Sequence, residues 1–326
     1  MTGWQYDIIG VGSVAVDDLL YVAEYPPPDS KTRVLRRVRQ CGGLTGTALV
    51  AAARAGARCC FAGVVGTDEL SDTVAEQLER MGVSTRWMAR APAARVIHSV
   101  IVVEQRRQTR TIFYDLEGAL GALPDWPPEE AILSARALYV DHLDCARSLR
   151  AARLASSAGI PVIADFEYVS APEFEELLGL VNHLILPAAF AAELSGEDDP
   201  AAAARALWSE RRALVAVTCG VDGVWWVERD APEAAWHQPA FPVETVDTTG
   251  CGDVFHGAYA AALAHGLDAP ERIRFAAAAA ALKATAPGGQ AGIPSRADVE
   301  AFLAERAEAA AAEVGAAVRQ GRARAR

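Results

Sequence analysis

The strongest constraint on the fold is a run of short β-rich segments, each followed by a helical one. "ALYVDHLD" leads into "RSLRAARLASSAG", "IPVIADFE" into "EFEELLGLV", and "HLILP" into "AAFAAELSG". The first member of each pair is rich in the apolar residues of a strand covered on both faces, and the second has helical spacing. Strands that alternate with helices in this way lie parallel, so the chain is predicted to form an α/β fold: an open, mostly parallel sheet with helices on both faces. Ligands of such sheets bind beyond the carboxyl ends of the strands. The glycine turns at those ends are therefore the places to look for chemistry.

The N-terminal half adds a second layer of signal. "YDIIGVGSVAVDDLLYVAE" reads as buried strand and stops at "YPPPDS", which no helix crosses. It contains G-x-G-x-x-A at Gly10, Gly12 and Ala15, a dinucleotide fingerprint only when a helix follows directly. Val14 to Val22 continue instead as strand, so that reading is disfavoured. "GGLTGTALVAAARAGA" is a glycine turn feeding a helix, with Thr45 or Thr47 as possible caps and Gly56 as its stop. "DELSDTVAEQLERMGV" places Leu70, Val74, Leu78 and Met81 on one helical face. "ARVIHSVIVVEQRRQTRTIFYD" is a hairpin signal that, with 14–24 and 31–40, forms a small sheet beside the main one. Further on, "ALVAVTCGVDGVWWVE" is a strand and turn, and two alanine-rich helices are expected near 253–266 and 271–285.

Composition removes several functions. The 326 residues carry 31 basic and 42 acidic side chains, a net charge of -11, which argues against nucleic acid as a partner. The basic end with Arg319, Arg322, Arg324 and Arg326 reads as a solvated tail. No run is apolar enough to span a bilayer, and the N-terminus lacks the pattern of a leader, so no membrane partner and a cytoplasmic location are expected. The six cysteines make no C-x-x-C pair and the six histidines no H-E-x-x-H, which disfavours structural zinc and a disulfide framework. Walker A spacing occurs nowhere, and no internal repeat is evident.

Two turns carry chemistry. In "DTTGCGDVFHG", Gly250, Cys251 and Gly252 precede a helix whose first turn holds Asp253. Free amides at a helix start receive negative charge, and a carboxylate in that field is expected to stay ionised and accept a hydroxyl proton. The plainer reading makes Asp253 an ordinary helix-start residue. In "TCGVDG", Thr218, Gly220 and Gly223 follow a strand and suit a nucleotide's phosphates, although many hairpins look the same. His256 reads as a packed histidine, with His142 at a strand end the better alternative; Cys251 reads as a small packed residue rather than a reactive thiol.

Taken together, "GGLTGTALVAAARAGA", "DTTGCGDVFHGAYAAAL" and "IRFAAAAAALKATAPGGQAGIPSRADVEAFL" resemble the ribokinase-type (PfkB) family of ATP-dependent sugar kinases, from about Asp7 to Leu303. The second block is similar to the signature D-T-x-G-A-G-D with Cys251 in place of alanine. The resemblance implies a kinase domain over 1–308, with lid segments at about 14–40 and 95–115, and a helix end and basic tail at 309–326. It implies Asp253 as catalytic base, Gly250, Cys251 and Gly252 as anion hole, and Thr218, Gly220, Gly223, Gly252 and Gly289 against ATP. By the same likeness Asp17, Lys31, Gly42, Gly43, Thr47 and Asp253 hold the sugar, and the lid sheet forms a homodimer interface. Mg²⁺ arrives with the nucleotide, and Asp247, Thr249 and the "APGG" loop match a monovalent-cation (K⁺) site of some members.

Three departures shape the expectation. Thr47 stands where many members carry Asn, so the hydrogen-bond pattern around the sugar differs. Ala188, Ala189 and Ala191 stand where the family's N-x-x-E element belongs, and Glu193 is the first acid. The C-terminal block and Thr47 look most like the sulfofructose-kinase branch, but Leu143 aligns with that branch's sulfonate-binding arginine, which favours a neutral or keto sugar. The expected activity is ATP-dependent phosphorylation of a sugar hydroxyl. The alternatives are a nucleoside kinase of the same fold, for which Phe113 and Tyr114 are the lid's candidate aromatics, and a catalytically weak sugar-binding protein.

Overall fold

The computed structural model describes residues 3–107, 109–116 and 123–307. The expected tail at 309–326 lies outside the described residues. The first half of the chain contains β1 (Tyr6–Val11), β2 (Ala15–Val22), β3 (Arg36–Gly42), α1 (Leu44–Arg54), β4 (Cys59–Phe61), β5 (Val64–Val65) and α2 (Glu69–Arg80). It continues through β6 (Val83–Ser84), β7 (Ala89–Arg90), β8 (Ile97–Glu104), β9 (Thr109–Asp115) and α3 (Glu129–Leu133). The alternating middle comprises β10 (Ala135–Asp141), α4 (Cys145–Ser157), β11 (Val162–Asp165), α5 (Phe174–Leu180), β12 (His183–Pro187), α6 (Ala188–Ser195), α7 (Pro200–Ala206) and β13 (Leu214–Thr218). It ends with β14 (Val224–Glu228), β15 (Trp236–Gln238), α8 (Cys251–Ala264) and α9 (Ala269–Ala284), and residues 296–307 are helical.

Nine strands form the main sheet in the order β15-β14-β13-β12-β11-β10-β1-β4-β6. Pairs from β6 across to β13 are parallel, and β14 and β15 add antiparallel at one edge. Side chains alternate across a strand, so neighbours in β1 serve opposite layers. Ile8 joins the core beneath α1, α8 and α9, and Ile9 joins the one beneath α4 and α5. Both are fully buried, and truncating either to alanine is expected to cost about 2–5 kcal/mol.

The lid is a separate sheet in the order β3-β2-β8-β9. It grows out of the body because the stretch containing β1 breaks only at Gly12–Val14 and then resumes as β2, which excludes the dinucleotide-fold alternative. β2 runs parallel to β8 and antiparallel to β3. Two local expectations need correcting. Thr45 and Thr47 do not cap α1; Gly43 does, at φ 88°, and both threonines are buried inside the helix. Their hydroxyls serve distant partners instead: Thr45 Oγ1 donates to Asp141 Oδ2 and Thr47 Oγ1 accepts from Gln290 Nε2. The alanine-rich helices each begin two residues earlier than expected, α9 because Asp268 and Glu271 close a capping box ahead of it.

Candidate active site

The loop 247–252 is a tight turn held from behind. Asp247 Oδ1 accepts from Thr249 N–H and Oδ2 from Gly288 N–H, both at 2.8 Å. The Val246 and Asp247 amides bond Ala284 O at the end of α9. Gly250 then caps α8 at φ 77°, where a side chain would be strained and a Cβ would lie 2.9 Å from Gly289 O. Among the expected anion-hole residues, the Cys251 amide is turned inward to Thr248 O at 3.2 Å. The Gly252 and Asp253 amides have no backbone acceptor among the described residues and start a helix of 14 residues, so they carry its positive end.

Asp253 faces the acidic side of this helix start. Burial, together with the charges of Asp165, Glu167, Asp141 and Asp17, pushes its pKa well above the usual carboxylate range. Desolvation and like charges thus act against the helix field, which favours the ionised carboxylate. Glu167, whose side chain still reaches solvent, is raised as well, by partial desolvation with Asp165 adding to it. Asp141, fully buried at the end of β10, accepts from Ser13 N–H and Oγ–H, Thr45 Oγ–H and Leu143 N–H, so it ties the lid root to α1. Tyr139 Oη donates to Asp165 Oδ2 at 3.0 Å. His256 is buried, with its ring nitrogens 2.8 Å from Gly252 O and 3.1 Å from Ile185 O. It is the packed histidine expected, and it pins the first turn of α8 to β12.

The lid roofs this side. Asp17 on β2 is buried, which pushes its pKa up to about 6 against the hydrogen bond from Ser99. Gly42 lies so close that a Cβ there would overlap Asp17 Oδ2. Lid strand β3 reaches the loop at 288–290 through Gln40, whose Oε1 accepts from Gly289 N–H at 3.2 Å. Arg110 of β9 donates to Thr248 Oγ1 at 3.2 Å, a direct bond from the lid to the 247–252 loop. Tyr114 of β9 meets Tyr168, and Tyr168 packs edge-on against His142 at 4.2 Å between centroids. His142 is fully buried, and its Nε2 has no hydrogen-bond partner among the described residues.

On the other side of the loop opens a cleft of about 500 Å³. It gathers Thr218, Gly220, Gly223, Cys251 and Gly252, as the sequence suggested, with Gly289 adjoining through its contact with Gly250. Its wall also takes in Phe241, Pro242 and Val243 of the loop before α8, which the motif reading missed, and Ala277, Ala280, Ala281 and Ala284 of α9, which lie in the third block of the family resemblance. Their helical spacing was a usable signal, since alanines at that period leave a groove where larger residues would fill it. Lys31 is exposed in the connection between β2 and β3, and among the described residues no hydrogen bond or ion pair ties it to the site. Glu193 is exposed in the second turn of α6. Among the described residues no three acidic, histidine or cysteine side chains are grouped to hold a metal ion, and no helix is long and apolar enough to cross a membrane.

A lidded acidic pocket, an open helix start and a nucleotide-sized cleft define a phosphotransferase of the sugar-kinase type. The family described as pfkB family carbohydrate kinase matches residues 7–296, and the chain belongs to it. The chain is 30% identical over 309 residues to the ribokinase of Bacillus subtilis (strain 168), covering 91% of this chain and 99% of that protein. It is 24% identical to a nucleoside kinase of Methanothermobacter thermautotrophicus over 92% of this chain and 96% of that one. The crystal structure of the Thermotoga maritima ribokinase superposes with a TM-score of 0.79 at 26% identity, covering 91% of this chain and 99% of that one. The protein is thus an ATP-dependent carbohydrate kinase with the ribokinase fold.

Proposed function

We propose that the acceptor is a neutral sugar or keto sugar, held beneath the lid by Asp17 and the Gly42–Gly43 turn and deprotonated by Asp253. The observation that carries this is the position of Asp253: it shares its helix start with the open Gly252 amide, between the acidic pocket and the nucleotide-sized cleft. In the reaction the acceptor hydroxyl oxygen attacks the γ-phosphorus in line, its proton passes to the Asp253 carboxylate, and the bond to the β-phosphate oxygen breaks to release ADP. The Gly252 and Asp253 amides stabilise the charge on the transferring group, while the lid keeps water out. The donor, ATP, lies along Thr218, Gly220 and Gly223 with its base against the alanines of α9. Mg²⁺ enters on the nucleotide.

Charge argues for a neutral acceptor. Asp17, Asp165 and Glu167 surround the base, and Leu143 packs against Ala15 and Ile97 where an anion contact would be needed. The aromatic set of Tyr114, Tyr168 and His142 supports a second reading, a nucleoside acceptor, because a purine or pyrimidine needs a platform of this kind. ADP release measured over a panel of ketoses, aldoses, keto-acids, sugar acids and nucleosides separates the readings. Turnover of neutral sugars alone is expected; turnover restricted to nucleosides establishes the second, and restriction to sugar acids removes both.

The expected homodimer forms through the lid. Strand β9 is an edge strand exposed along its whole length, and it presents Ile112, Phe113 and Tyr114. An apolar edge of this kind is a pairing surface unless covered. Sedimentation of wild type and Phe113→Asp tests it: a dimer that the substitution converts to monomer is the expected result.

A further inference from the structure

Lysine is rarely buried without a carboxylate beside it, because taking an ammonium out of water is costly. Lys283, in the last turn of α9, is fully buried. Its Nζ donates to the backbone carbonyl of Asp247 at 2.8 Å, inside the catalytic loop. What offsets the cost is distributed: the carbonyl itself, the negative end of a helix of 16 residues, and the fields of Asp247 and Asp253. The same ammonium acts on Cys251, so its charge reaches the anion-binding turn.

This placement conflicts with a metal ion at the same spot. A monovalent cation behind the loop would draw on the oxygens of Asp247. Each of them already accepts one hydrogen bond, Oδ1 from Thr249 N–H, Oδ2 from Gly288 N–H and the carbonyl from Lys283, and the last donor carries a full positive charge, so a second cation on these oxygens would lie against the ammonium. The residues present therefore do not fit K⁺, although the Asp247–Thr249 spacing suggested it.

We infer that the Lys283 ammonium is the resident cation of the catalytic loop, standing in for a monovalent metal ion and making the enzyme independent of K⁺. Its role is positioning. It holds the Asp247 carbonyl, and with it the turn whose open amides face the transferring phosphoryl group, and its positive charge lies behind a site that must accept a polyanion.

The inference rests on the nucleotide-site reading, so the test uses ATP binding rather than sugar turnover. Mg·ATP affinity and melting temperature are measured for wild type in KCl, NaCl, NH₄Cl and tetramethylammonium chloride at matched ionic strength. Wild type is expected to vary by no more than about twofold in affinity and about 1 °C in melting, because a protein that takes up no small cation gains nothing from one. Lys283→Met is expected to lose about tenfold or more in affinity in tetramethylammonium chloride, as when one partner of a buried charged contact is truncated. KCl or NH₄Cl should restore part of that loss and raise the variant's melting temperature.

A K⁺-specific gain in wild type overturns the inference, and this arm needs no variant to fold. So does a Lys283→Met protein that keeps wild-type affinity without a small cation, or one whose loss no cation repairs, which would make the lysine a tether only. If wild type binds no Mg·ATP in any salt, it is the nucleotide-site reading that fails instead; a flat melting series then still supports the absence of a metal site.

Discussion

The two sides of the catalytic loop are built from opposite chemistry. Toward the ends of β10 and β11 lie Asp141, Asp165 and Glu167, roofed by Asp17 of the lid; toward α9 lie alanines, glycines and the buried ammonium of Lys283. The first side raises the proton affinity of a carboxylate, and the second lowers the cost of bringing in phosphates. The start of α8 is the seam between them, and Asp253 and the Gly252 amide sit on it. On the proposed assignment, a base flanked by acids and an anion hole backed by a cation occupy adjacent residues without cancelling one another. That contrast can be broken from either side.

The largest effect belongs to the base. Asp253→Asn is expected to lower kcat by on the order of 10²-fold or more, the range for a positioned general base. Retention of activity within threefold would remove Asp253 from the chemistry. Because burial and neighbouring acids raise its pKa, the acid limb of the wild-type kcat/KM profile should lie well above the ordinary carboxylate value of 3.8. Activity rises with pH through that limb, since the base must first lose its proton. Replacing Asp165 by Asn removes one of the like charges and should shift the limb to lower pH. A shift upward would contradict the electrostatic account.

Asp17 tests the acidic side by stability. Its folded pKa of about 6 lies above the ordinary 3.8, so the folded state binds this proton more tightly and the ionised carboxylate opposes folding. The opposition grows as pH rises from about 4 to 6 and is complete above that. Asp17→Asn should therefore raise stability at pH 8 by about 2 kcal/mol, leave it nearly unchanged below pH 4, and weaken sugar binding. Denaturant titrations at the two pH values read this directly. Equal gains at both would mean that the effect is not electrostatic.

The cation-lined side is tested more gently by Arg110, whose bond to Thr248 joins lid and loop. Arg110→Ala should lower kcat/KM about tenfold, the cost of losing one charged hydrogen bond near the site, with melting little changed because the arginine is exposed. An unchanged kcat/KM would show that the lid acts on the sugar alone.

How much of this was readable in the sequence follows the same divide. The parallel sheet was legible because each strand and each helix carries its own period, and the lid because a proline run and a hairpin bound it. Asp253 and the glycines around it were legible because they are adjacent in the chain. Lys283 was not, because it sits 36 residues from the carbonyl it binds and looks like any lysine at a helix end. The Asp141 network was hidden for the same reason: Ser13 lies 128 residues away and Thr45 lies 96. Thr47 was misread because a threonine near a helix start suits a cap, whereas its hydroxyl answers to Gln290, 243 residues on. The upward push on the Asp253 pKa was not legible because the helix field is local in sequence while the four carboxylates that oppose it are not.

Cys251 is the smallest and sharpest probe, because it stands on the seam itself. Its amide is spent on Thr248 and its side chain lines the nucleotide-sized cleft. Burial pushes its thiol pKa up, and the opposing pull of Lys283 and Arg110 does not reverse this. A thiol so placed is a poor nucleophile, so it acts here as volume. Cys251→Ala should leave kcat and the affinity for ATP within about twofold, since removing one sulfur from an open cleft wall creates no sealed cavity. Alkylation of wild type at neutral pH should be slow and should slow further with Mg·ATP bound. Fast alkylation, or a loss beyond tenfold in Cys251→Ala with the fold intact, would mean that the thiol takes part in the anion hole, and the division of the loop into an acidic and a cationic side would have to be redrawn around a third group at its centre.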